Sequence, residues 1–148
     1  MLKNFHPITY EAAAEVASNL LEEDKRECYE GHGFTNEIDI VISALTLPGT
    51  YYYEAPNGKS AAIGGVYEEG KIWMLCSDVI KEYPRQSARD ISRFVNSRPE
   101  KLLWNVVDKR NTTHIKLLRF LGFKFLREVL HGPNLLTFIE FCKINHES

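Results

Sequence analysis

Polar side chains held in apolar surroundings, or placed where a helix begins, must find partners, and those partners mark where chemistry is to be sought. Asn105 lies inside the run Leu102-Leu103-Trp104-Asn105-Val106-Val107. Its amide either orients a substrate or bridges backbone where two strands part. Asn111 precedes a helical stretch and serves either as its cap or as a ligand contact. A cationic group, Lys81, Arg85 and Arg89, surrounds Gln86, Ser87 and Ala88. If a helix begins there, its unsatisfied N–H groups and its dipole favour an anion; otherwise Arg85 and Arg89 form a solvated helix face. Cys28, Cys76 and Cys142 stand apart from one another and from any His at ligand spacing. That pattern indicates reduced thiols, with neither a disulfide framework nor a metal site. Cys76 reads as a small buried hydrophobe and Cys28, in a charged segment, as accessible.

The elements that must position these groups follow from periodicity. Leu102 to Val107 reads as a near-continuous apolar strand covered on both faces. Asn111 or Thr112 caps a helix whose stripe is Ile115, Leu118 and Leu121 or Phe120, and Gly122 closes it. Upstream, Phe5 to Ile8 is a short strand, Thr9 caps a helix from Tyr10 to Glu23 with Ala13, Val16, Ala17 and Leu20 on one face, and a second helical stretch covers Asp24 to Tyr29. Gly31-His32-Gly33 breaks it. The spacing then predicts a helix over Asn36 to Leu45 with Ile38, Val41, Ile42 and Leu45 inward. Thr50 to Glu54 and Ser60 to Tyr67 form a hairpin, with Gly64-Gly65 marking a bulge or a close approach. Ile72 to Val79 is the central strand. Ser87 to Val95 is a helix with Ala88, Ile91 and Val95 inward and Arg89, Asp90 and Arg93 outward. Lys124 to Leu130 and Leu135 to Cys142 close the chain as a hairpin turning at His131-Gly132-Pro133-Asn134. Trp73 and Trp104 read as core. This order of elements describes one α+β, three-layer domain spanning residues 1–148.

The segment Asn111 to Phe123 resembles the C-terminal half of the GNAT N-acyltransferase superfamily, in which an Asn opens a helix after the fifth strand and Gly-Phe closes it. Leu103-Trp104-Asn105, Asn111-Thr112-Thr113-His114-Ile115 and Leu121-Gly122-Phe123 also look like a narrower group, the acetyltransferase-like and internal virion proteins of tailed bacteriophages. Phe5 to Ala13, Asp24 to Glu27 and Ile72 to Asp78 match that group more weakly. The resemblance implies a mixed, mostly antiparallel central sheet flanked by helices. It also implies acetyl-CoA, whose pantetheine pairs with the central strand at Met74, Leu75, Cys76 and Ser77. The CoA pyrophosphate would then rest near Arg85, Gln86, Ser87, Ala88 and Arg89, with Asn111 and His114 contacting the cofactor and Asn105 the substrate. For acetyl transfer to an amine, Glu27 and Asp78 are the candidate bases, because a partly desolvated carboxylate shifts toward neutral pH. Tyr83 or Ser77 is the candidate donor to the leaving thiolate. The loop from Ile80 to Arg89 contains no glycine. This departs from the family pattern, so a non-catalytic virion or assembly protein reusing the same fold stands as the alternative.

Composition narrows the partners. The chain has 148 residues, 44% hydrophobic and 26% charged, with a net charge of −2. These values suit a single folded core with order expected up to the last few residues, and they give no clustered basic surface for nucleic acid. No apolar run reaches the length of a membrane span, and Met1-Leu2-Lys3-Asn4 does not open a signal segment. The expected location is the cytoplasm, that of a host cell if the chain is phage-encoded, or the virion with its proteins as partners.

Overall fold

The computed structural model describes residues 2–145, so the final residues, where order was expected to end, lie outside the described residues. The strands are β1 (Phe5–Pro7), β2 (Thr50–Glu54), β3 (Ser60–Tyr67), β4 (Lys71–Cys76), β5 (Leu102–Asp108), β6 (Lys124–His131) and β7 (Leu136–Ile144). The helices are α1 (Tyr10–Ser18), α2 (Glu22–Arg26), α3 (Glu37–Thr46), α4 (Pro84–Ser97) and α5 (Thr112–Phe120). A π-helical turn, Glu27–Gly31, continues α2, and a 3₁₀ turn, Asp78–Glu82, precedes α4. The strands form one sheet in the order β1-β2-β3-β4-β5-β7-β6. Every pairing is antiparallel except β4 with β5.

That parallel pairing decides the architecture. It has a single register pair, Lys71 with Trp104. There the Trp104 N–H donates to the Gly70 carbonyl at 3.0 Å. Gly70 has φ +93°, and a Cβ on it would strike the Leu102 carbonyl, so only glycine lets the strands meet so closely. Beyond that point they diverge, and Asn105 acts as the wedge. Its Nδ2 donates to the Ile72 carbonyl at 2.8 Å while its Oδ1 accepts from the Val106 N–H at 2.8 Å. Of the two sequence readings of Asn105, the backbone bridge is the one realised.

Alternation along β4 serves two cores. Ile72 and Met74 pack with Ile91, Val95, Leu103, Ile115 and Leu118 under α4 and α5, while Trp73 and Leu75 pack with Ala13, Val16, Ile40 and Ile63 under α1 and α3. Burying each large aliphatic side chain stabilises the fold by about 1.5–3 kcal/mol. Among the described residues, no helix is long and apolar enough to cross a membrane.

Several local expectations change. The helix expected from Tyr10 to Glu23 splits, because the Leu21 N–H bonds the Cys76 carbonyl, the Asp78 N–H bonds the Asn19 carbonyl and Leu20 bridges Ser77. The end of β4 thus draws in three residues that would otherwise have continued the helix. In α3 the buried residues are Ile40, Val41 and Ala44, whereas Ile38, Ile42 and Leu45 are exposed. The small face of α1, at Ala13 and Ala17, packs against Ala44, and that close contact selects a different stripe. Helix α4 begins at Pro84, three residues earlier than expected, because Pro is well suited to a first helical position. Asp90 is buried and accepts hydrogen bonds from the Tyr53 hydroxyl (2.7 Å), Gln86 and Arg93. Cys28 is fully buried, and burial pushes its thiol far up from its ordinary pKa. The Gly64-Gly65 pair is a close approach, since a Cβ on either would collide with backbone of Trp73 or Gly49. The bulge lies instead at Tyr53/Glu54. Trp73 packs against the α1/α3 core, and Trp104 sits half-buried at the rim with its indole N–H on the Glu69 carbonyl.

Candidate active site

A cavity of about 440 Å³ occupies the divergence of β4 and β5 and takes walls from both helical layers. Ile91, Leu118 and Phe141 face it from one side, Phe34, Ile40 and Leu47 from the other. A cleft of about 180 Å³ opens between the starts of α4 and α5, walled by Pro84, Ser87, Ala88, Thr113 and Leu117, with Asp24 and Cys76 also lining it. Ile91 and His114 belong to both spaces.

The backbone of β4 supplies the most informative polar groups. The Ser77 N–H donates to the Ala61 carbonyl of the β3 side, so by the two-residue period Ile72, Met74 and Cys76 turn their N–H and C=O toward the divergence. The Ile72 carbonyl is taken by Asn105. The Cys76 N–H donates to Asp24 Oδ2 at 2.8 Å, and its carbonyl accepts from Leu21 at 3.0 Å. Between them, Met74 has no strand or side chain on that edge among the described residues. A ligand amide placed there can both accept and donate.

Helix α2 ties itself to the start of α5. Asn111 caps α5 through Oδ1, which accepts from the His114 N–H at 3.1 Å, and its Nδ2 donates to Asp24 Oδ1 at 2.8 Å and Glu27 Oε1 at 3.3 Å. Glu27 Oε1 also accepts from the Asp108 N–H at 2.9 Å, and Glu23 accepts from the backbone and hydroxyl of Thr113 and from Thr112. Carboxylates at a helix N-terminus are favourable there. His114 is enclosed with its Nδ1 3.6 Å from Asp24. Burial pushes its pKa down, but Asp24 and then Glu27 outweigh burial and hold it above the ordinary value. Asp108 is pushed up by burial yet held below the usual carboxylate range by Arg110, whose guanidinium forks onto it.

A second polar chain starts from Glu27. The His32 N–H donates to the Glu27 carbonyl at 2.9 Å, the five-residue bond of a π turn. In an α-helix residues five apart point about 140° away from each other; the wider turn returns them to one face. There His32 Nε2 lies 3.3 Å from Glu27 Oε2, and His32 Nδ1 lies 3.0 Å from His131 Nε2. Glu27, His32, His114 and His131 all line the larger cavity. Burial, followed by the repulsion a protonated His32 would exert, lowers the His131 pKa below the ordinary imidazole value.

The sequence-selected residues divide between the cavity, the cleft and positions that line neither. Glu27, Met74, Leu75 and Asn105 line the larger cavity, Cys76, Ser87 and Ala88 line the cleft, and His114 lines both. Asn111 spends both ends of its amide on protein groups and is buried, so it acts as a cap and a brace. Asp78 is about two-thirds exposed and pairs with Lys81 at 3.9 Å, lacking the desolvation that its role as a base required. Ser77 is buried, with its hydroxyl on the Ser60 carbonyl and on the Val79 N–H it caps. Tyr83 packs against the cluster of Leu21, Tyr53 and Cys76. Because α4 starts at Pro84 and the Ser87 N–H already bonds the Tyr83 carbonyl, the helix-start amides without a partner among the described residues are those of Arg85 and Gln86, in place of Gln86, Ser87 and Ala88. Arg85 and Arg89 are exposed. Sequence reasoning missed Asp24, His32 and His131. The signal available was two histidines each flanked by glycine, Gly31-His32-Gly33 and His131-Gly132.

No protein-family model matches the sequence, and no curated protein matches it. Solved structures do match in shape. A GNAT-family acetyltransferase from Bacillus anthracis superposes with a TM-score of 0.69 at 9% identity, covering 99% of this chain and 98% of that one. Ard1 from Thermoplasma volcanium gives 0.68 at 11% identity, covering 99% and 100%. A GNAT phosphinothricin acetyltransferase from Sinorhizobium meliloti, solved in complex with AcCoA, gives 0.63 at 12% identity, covering 97% and 88%. The chain has the fold of the GNAT acetyltransferases.

Proposed function

We propose that this chain is an acyl-CoA-dependent N-acyltransferase that moves an acetyl group from acetyl-CoA to an amine. The observation that carries the reading is the N–H and C=O of Met74, which have no strand partner on the β5 side among the described residues and are set in an apolar cavity beside a cleft at the start of α4. A pantetheine arm carries amides able to pair with that edge, and the helix-start amides of Arg85 and Gln86 with the charges of Lys81, Arg85 and Arg89 suit its pyrophosphate. The loop is degenerate in this reading: Pro84 removes one donor and charge replaces glycine-assisted approach. In the reaction a C–N bond forms at the thioester carbon, the C–S bond breaks, and the amine loses the proton that the thiolate gains. Glu27 lies at the cavity and is the carboxylate retained as part of the base. Asp78, Ser77 and Tyr83 have no part in this reading.

Titration calorimetry with acetyl-CoA, CoA and 3′-phospho-ADP tests it. CoA should bind at least tenfold more tightly than 3′-phospho-ADP, and Ala88→Glu, which puts a carboxylate in the cleft, should abolish binding while leaving the far-ultraviolet dichroism unchanged. Absence of CoA binding at millimolar concentration would sink the proposal. A second reading, a non-catalytic internal virion or assembly protein of a tailed phage, is favoured by one feature. Asp24 and Leu21 already occupy both backbone groups of Cys76, shortening the edge available to a cofactor to the single residue Met74.

A further inference from the structure

We propose that Glu27, His32 and His131 form an acid–base relay at the cavity, with His131 as the catalytic residue that takes the acceptor amine's proton and His32 and Glu27 as the positioning residues behind it. The proposal rests on the acyl-transfer reading above.

Two segments distant in sequence are built to meet. A Cβ on Gly132 (φ +76°) would collide with the Gly31 carbonyl, and one on Gly33 (φ +82°) would press on the Pro133 ring. The Asn134 side chain donates to the Glu30 carbonyl at 3.0 Å and ties the β6–β7 turn to the π turn. Phe138 packs against both imidazoles, with ring centroids 5.4 Å from His32 and 4.6 Å from His131. Glycine at these positions and the π turn therefore converge on one result, the 3.0 Å contact between His32 and His131. A π turn inserted into a helix recurs at functional sites.

With Glu27 ionised and His32 neutral, the two contacts assign the protons as follows. An ionised Glu27 only accepts, so His32 Nε2 carries a hydrogen. A neutral His32 then has a lone pair on Nδ1, and His131 must donate from Nε2, which leaves His131 Nδ1 as the unprotonated nitrogen of the chain. When that nitrogen takes a proton from an attacking amine, the Nε2 proton can pass to His32 and the positive charge moves next to the Glu27 carboxylate. The proton returns along the same path to the departing thiolate, so the relay ends each cycle unchanged. Glu27 is held for this by the Asp108 N–H and by Asn111. The other charged groups around the relay are Lys71 from β4, which favours the neutral form of His131, and Asp24 with His114, reached through Asn111. Asp108 is neutralised by Arg110, which also pairs with Glu30 at 2.8 Å.

Two measurements test the relay. Ring nitrogen-15 spectra of histidine against pH need no ligand. His32 and His131 should titrate as a coupled pair, and Glu27→Gln should shift both. Thiol release from acetyl-CoA with 2-phenylethylamine, an amine chosen for the apolar chamber, reads the chemistry. His131→Gln should lower kcat by about a hundredfold or more and remove the acid limb of the pH profile, while the acetyl-CoA Kd stays within twofold. Independent titration of the two rings, or a His131→Gln variant that binds acetyl-CoA and keeps both rate and profile, would overturn the relay. Wild-type protein that fails to bind acetyl-CoA would instead overturn the acyl-transfer reading and, with it, the role of His131 toward an amine.

Discussion

Replacing Asn111 with Ala removes three interactions from a residue that is 1% exposed. The first is the cap on the His114 N–H, worth about 1 kcal/mol. The others are the donations to Asp24 and Glu27, each about 1.5–3 kcal/mol because the acceptors are charged, with the 3.3 Å bond at the low end. Asp24 keeps the Cys76 N–H and Glu27 keeps the Asp108 N–H, so neither carboxylate is stranded. The expected loss is about 4–5.5 kcal/mol, a large part of the ~5–15 kcal/mol that holds a domain together. With a urea slope of about 2 kcal/mol/M the midpoint falls by about 2–2.7 M. Asn111→Ser keeps a capping oxygen and loses the amide donor, so it should recover about 1 kcal/mol relative to Ala. Asn111→Asp also keeps a cap but places a third carboxylate beside two others, and should be at least as unstable as Ala at neutral pH. Urea unfolding of the three variants ranks them. If all three lie within about 1 kcal/mol of wild type, the brace between α2 and α5 has been misjudged.

His114 and His131 should affect stability with opposite pH slopes. The folded pKa of His114 is raised, so its contribution is complete below the unfolded value of about 6.5 and is lost as pH rises through the folded value. Wild type should therefore exceed His114→Gln in stability most at pH 5 and least at pH 8. The folded pKa of His131 is lowered, so its contribution is present above about 6.5 and is lost as pH falls. Denaturation of wild type and His131→Gln across that range should show the reverse trend. Gly132→Ala both strains a left-handed backbone and pushes on Gly31; it should cost about 1–3 kcal/mol, and ring spectra should show the two histidines uncoupled. Arg110→Ala should release Asp108, so that stability is lost at higher pH on acidification than in wild type, visible as an upward shift of the acid unfolding midpoint.

The amino-acid sequence carries most of the elements and the order in which they follow. The apolar alternation of Leu102 to Val107, the stripe of Ile115 and Leu118 and the closing Gly122 are local patterns, and local sterics and burial are enough to read them. It also singled out Asn105, whose amide had to bridge a strand splay or face a substrate, because an amide in an apolar strand must find a partner nearby. The rest depends on contacts between distant segments. Which face of α3 is buried depended on the alanines of α1, and where α1 stops depended on the free edge of β4. The path from Glu27 through His32 to His131 joins residues up to about a hundred positions apart. No periodicity within either segment encodes that meeting. It arises when the divergence of β4 and β5 leaves room for α2 and when glycines let two backbones touch, conditions that exist only after the sheet has formed.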